Sequence, residues 1–118
     1  MFTDEERAVA IANYTRVNGS EPPAEMGPIG NAALEFVFGK LWDAPGLSWR
    51  ERRLVSLCCT AINAQTMPLE MHVRGALESG DFTVSDLRAL SVHLAAYAGF
   101  PVGTAIEVAL GKLAADKA

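Results

Sequence analysis

A chain of 118 residues, half of them hydrophobic and a fifth charged, fits one domain with its own core, and the composition excludes a disordered acidic tail. The formal net charge of −4, with no basic cluster longer than "RERR" at 50–53, gives no electrostatic footprint for DNA or RNA. No stretch approaches the roughly 18 consecutive apolar residues of a membrane span, and the acidic opening "MFTDEERAVAIANYTRV" lacks the pattern of a signal peptide, so neither nucleic acid nor membrane is an expected partner and the cytoplasm is the expected location.

The first predicted helix covers residues 3–17, with Thr3 and Glu6 spaced as a capping box, and "VNGSEPP" closes it as a loop. The second runs from Pro28 to Lys40, where Leu34, Val37, Phe38 and Leu41 recur at helical spacing. Trp42 and Trp49 bracket a Pro-Gly turn that leads to a second capping box, Ser48 with Glu51. The third helix, "RERRLVSLCCTAINAQ", is apolar nearly all round after Arg53 and is expected to be buried. Its neighbours Cys58 and Cys59 cannot staple distant parts of one chain, and read as free thiols of a reducing compartment.

The fourth helix, "MPLEMHVRGALESG", has Pro68 in its first turn and Gly80 just past its end. The fifth, "VSDLRALSVHLAAYAG", places Leu87, Leu90, Leu94 and Tyr97 on one side and stops at Gly99, and a sixth starts at Pro101. These elements predict a single all-α domain of about six helices, and its surplus apolar surface predicts an oligomer.

Residues four apart on a helix nearly share a face, so Leu69, His72, Val73, Ala76 and Leu77 form one apolar stripe with His72 in its middle. Glu70 and Arg74 lie on the other side, spaced as an i,i+4 ion pair. On spacing alone His72 reads as a core histidine satisfied by backbone or water, and His93 as a boundary residue. Neither has a histidine or cysteine at i+3 or i+4, so no metal is expected. A Gly-rich phosphate loop, a Gly-x-Ser-x-Gly elbow and a Cys-x-x-Cys pair are all missing.

Taken in order, "LEFVFGKLWDAPGLSWRERRLVSL", "LEMHVRGALESGDFTVSDLRAL" and "AAYAGFP" resemble the carboxymuconolactone decarboxylase family over residues 28–110. The resemblance implies an alkylhydroperoxidase D-like helical subunit, assembling into trimers or hexamers, and a lyase that needs no cofactor. Its substrate would be a small carboxylated lactone or related enolisable acid. It further implies His72 as general acid or base, with Glu70 beside it in the "E-x-H-x-R" run, and Arg53, Arg74, Trp42 and Gln65 as substrate-binding residues. Related thiol peroxidases place a Cys-x-x-Cys where this chain has Gln65 and Pro68, and a glutamate where it has Arg53, which disfavours peroxide chemistry. An isomerase or cyclase on the same scaffold, and a non-catalytic oligomer, are the alternative readings. Since Glu70 and His72 diverge on one helix, a site using both is expected between subunits.

Overall fold

A computed structural model describes residues 2–117, and every regular element among them is helical. Helix α1 spans Asp4–Asn18 and α2 spans Gly27–Ala33, continuing as a π-helical stretch Leu34–Leu41; α3 is Trp49–Ile62, α4 Thr66–Ser79, α5 Val84–Ala98 and α6 Phe100–Lys117. Three starts carry reciprocal capping boxes. Thr3 with Glu6 and Ser48 with Glu51 form as predicted, and Thr83 with Asp86 adds a third in which the shorter acid does the same work. Each box satisfies two N–H groups that a helix start would leave unpaired.

Helices α3 to α6 surround the main core, where Leu57, Val73, Leu87 and Ile106 are fully buried. A smaller cluster joins Ala10 and Tyr14 of α1 to Leu34, with Phe38 edge-on to the Tyr14 ring at 4.8 Å. The α5–α6 pair is a tight antiparallel hairpin about Gly99. Ser91 Oγ donates to the Gly103 carbonyl at 2.7 Å, and a Cβ on Gly103 would lie 2.7 Å from that of Ala95, so only glycine allows this approach.

Several expectations are corrected here. The second helix does not run as one α-helix to Lys40: from Leu34 it winds with i→i+5 bonds such as Trp42 N–H to the Val37 carbonyl at 3.0 Å. The change goes with α1, whose Asn13 Nδ2 donates to the Phe38 carbonyl at 2.8 Å and whose Ala10 packs 3.5 Å from where a Gly39 Cβ would stand. The third helix stops at Ile62 rather than Gln65, because Ala64 turns the chain with a left-handed φ of 55°. Nor is α3 buried all round: Val55 and Ile62 remain 55% and 51% exposed on its outer side. Tyr97 is 84% exposed and does not join Leu87 and Leu94 in the core; it stacks on the exposed His93 ring at 5.2 Å. Among the described residues no helix is long and apolar enough to cross a membrane.

Candidate functional site

Helix α4 packs against α1, α3 and α6 and carries the candidate histidine. Its apolar stripe behaves as predicted: Leu69, Val73 and Ala76 are buried and Leu77 is half-buried. His72 keeps part of its surface, yet its Nδ1 is shut from solvent and has no hydrogen-bond partner among the described residues. Burial first, and the nearby positive charge of Arg53 second, pull its pKa down to about 4. The ring is therefore neutral at physiological pH. No protein group of the subunit bonds this nitrogen, whereas most buried polar atoms have a partner from protein or water.

Arg53 lies where the sequence did not place it. It is fully buried, and all five of its N–H groups have partners within the subunit. Nε donates to Asp81 Oδ2 at 3.2 Å; Nη1 donates to the carbonyls of Val17 at 2.7 Å and His72 at 3.5 Å; Nη2 donates to the Arg16 carbonyl at 3.1 Å and Ser79 Oγ at 3.5 Å. The expectation that Arg53 holds a substrate carboxylate therefore gives way to an interior role. It caps the last turn of α1 and ties it to α4 and to the turn after it. Burial works against its charge, and Asp81 sustains it. Gly75 makes the junction possible, since a Cβ there would overlap the Val17 carbonyl oxygen and stand 2.8 Å from Arg53 Nη1.

The tryptophans belong to the same junction. Trp42 is buried with its ring 5.0 Å from that of Trp49, the Arg53 guanidinium stands 5.8 Å from the Trp42 ring, and the Arg16 guanidinium lies 4.2 Å over Trp49. Asp81, which also faces Arg16 at 3.7 Å, belongs to this network, and like Arg16 and Ser79 it carries no motif that would single it out in the sequence.

Glu70 does not pair with Arg74. Its Oε1 accepts from Lys112 Nζ of α6 at 2.9 Å. Together with Gln65 it lines a cavity of about 270 Å³ between the α3–α4 corner and α6, whose other polar groups are Thr60, Thr66 and Thr104. Arg74 faces a separate cavity of about 140 Å³ beside the carboxylates of Glu78 and Asp116. Trp42 borders a third, with Arg52 and Ser56. One subunit thus places Gln65 and Glu70 together, and holds His72, Arg74 and Trp42 apart from them. Among the described residues no group of three or more His, Cys, Asp or Glu side chains could hold a metal ion.

The comparisons with known proteins bear on the same helix. The chain is similar to the 4-carboxymuconolactone decarboxylase of Acinetobacter baylyi, 32% identical over 75 residues, which is 64% of this chain and 55% of that protein. It is also similar to the nitrosuccinic acid decarboxylase of Metarhizium robertsii, 33% identical over 67 residues, covering 57% of this chain and 46% of that one. The chain thus spans about half the length of the curated relatives it matches. No solved structure matches it. The model of the carboxymuconolactone decarboxylase family matches residues 28–110, a span that includes His72, Arg53 and both tryptophans and runs from α2 well into α6. This chain belongs to the carboxymuconolactone decarboxylase family.

Proposed function

We propose that the chain is a decarboxylase acting on a small carboxylated lactone or a related enolisable acid, with His72 as the proton carrier. The observation that carries this reading is the neutral His72 ring, whose Nδ1 has no protein partner, on a helix inside the span that matches the family. When carbon dioxide leaves, the electron pair of the broken C–C bond stays on carbon as an enolate-like system, and a proton must then reach that carbon. A ring with a pKa near 4 carries almost no proton at neutral pH in the free subunit. An anionic substrate beside it raises that pKa, because a neighbouring negative charge favours the imidazolium. Substrate binding thus charges the acid that the reaction requires.

Both relatives are named as decarboxylases, which supports the reaction class. Glu70 is held by Lys112 and points away from His72, so a site that uses both is built between two subunits. Self-association is part of the proposal, and the exposed Ile29, Tyr97 and Phe100, with 86%, 84% and 78% of their surface free, support it.

The decisive experiment is carbon dioxide release from a panel of small carboxylated lactones, with light scattering on the same samples. His72→Gln is expected to abolish release and leave the particle mass unchanged. Undiminished release from that variant would refute the assignment. Turnover without carbon dioxide would instead identify an isomerase or cyclase.

A further inference from the structure

A carboxylated substrate needs a cation, and among the described residues five of the chain's ten Lys and Arg side chains already face a carboxylate. Arg16 and Arg53 face Asp81, Arg50 faces Asp86, Arg88 faces Glu107 and Lys112 faces Glu70. Arg74 shares its cavity with Glu78 and Asp116, whose charge would repel an anion. Arg52 differs. Among the described residues no carboxylate forms an ion pair with it, its Nη2 donates to the carbonyls of Ala44 at 2.7 Å and Pro45 at 3.4 Å, and its buried Nε has no partner. Those two bonds fix the guanidinium against the Pro-Gly turn.

Arg52 borders a cavity of about 140 Å³ whose walls are Trp42, Leu41, Leu47 and Val55, with Ser56 one helical turn along α3. A dry cavity of ~150 Å³ is enough to take up benzene, so the apolar part of a ring-sized acid fits. A fixed guanidinium that no carboxylate engages, a hydroxyl and an indole wall are the groups that bind a carboxylate on a compact, apolar ring.

We propose that Arg52, Ser56 and Trp42 form a binding site for the carboxylate of a small cyclic acid. The proposal deepens the function above and rests on that reading only for which acid is bound in turnover. It also reassigns the anion-binding role that the family resemblance implies for Arg53. The two residues are neighbours on α3, about 100° apart around the helix axis; one faces the end of α1, the other the cavity.

Binding is tested without turnover, by titrating the full chain with benzoate and following the indole N–H signal of Trp42 by NMR. The chain has two tryptophans, and Trp49→Phe assigns the signals. A saturable shift is expected with benzoate and none with benzyl alcohol. Arg52→Met is expected to weaken binding at least about tenfold. Since Arg52 also holds the turn, Ser56→Leu serves as a second variant that fills the cavity while leaving the turn bonds in place, and it is expected to abolish the shift. The proposal is overturned by no saturable shift in the parent chain, by equal affinity for benzyl alcohol, or by full affinity in either folded variant. A site that binds benzoate in a chain that releases no carbon dioxide leaves this inference standing and removes the decarboxylase reading.

Discussion

Replacing Arg53 by Met tests the junction beneath His72 most directly. The substitution keeps a long apolar stem but removes five donors from a fully buried position. The carbonyls of Arg16 and Val17, at the end of α1, lose bonds of 3.1 and 2.7 Å, and Asp81 loses its 3.2 Å partner. Breaking a buried pair by removing one member costs about 3–5 kcal/mol. Asp81 retains 15% side-chain exposure and can still face Arg16, which places the expected loss toward the lower end, about 3 kcal/mol. A domain of this size has only about 5–15 kcal/mol in total. Urea unfolding followed by circular dichroism should therefore show a midpoint lowered by roughly 1–3 M, for a slope of about 1–3 kcal/mol per molar. Arg53→Lys should recover only part of the loss, because one ammonium cannot reach acceptors arranged around a planar fork. A loss below about 1 kcal/mol for Arg53→Met, or full recovery with lysine, would refute the claim that this arginine ties α1 to α4.

Other outcomes follow from the same geometry. Gly75→Ala should lower stability by about 2 kcal/mol despite alanine's higher helix propensity, because the added Cβ overlaps the Val17 carbonyl and forces α1 off Arg53. Gly111→Ala, in α6 with nothing within 4 Å of the added carbon, should instead raise stability by up to about 1 kcal/mol; the two unfolding curves should move in opposite directions. His72 makes stability depend on pH. The folded ring takes up its proton only near pH 4, the unfolded ring near 6.5, so between those values the unfolded chain binds the extra proton. The contribution is fully present above about pH 6.5 and is lost as pH falls toward 4, with a slope of at most about 1.4 kcal/mol per pH unit. Denaturation between about pH 7 and pH 5 should show this slope in the parent chain and a flatter one in His72→Gln; equal slopes would deny the depressed pKa.

The features that could be read from the sequence are those set within a few residues. Thr3 with Glu6 and Ser48 with Glu51 form their boxes because both partners sit on one turn, and Leu69, Val73 and Ala76 are buried because their spacing gives α4 one apolar face. The exposure of α3's outer side and of Tyr97 in the subunit has a related reason. Apolar residues on two faces show that surface needs covering, but the subunit covers only one, leaving Val55, Ile62 and Tyr97 exposed. The π-helical stretch was not legible because its cause lies in α1, whose Asn13 reaches a carbonyl 25 residues further along the chain.

The candidate site shows the same division within a single dipeptide. That α4 presents His72 follows from pattern, but which of Arg52 and Arg53 serves the interior depends on where α1 ends, and its Val17 carbonyl lies 36 residues before the arginine that caps it. Once that turn sits against Gly75, one arginine must face it, because the buried Val17 carbonyl, the partly buried Arg16 carbonyl and Asp81 need donors. The helical rotation of about 100° then directs the adjacent guanidinium away, toward Trp42 and Ser56. The interior arginine also lies close enough to His72 to oppose its protonation. Folding this junction therefore has two consequences at once: it holds the His72 ring neutral at pH 7, and it turns the adjacent Arg52 toward the cavity that we propose as the carboxylate site.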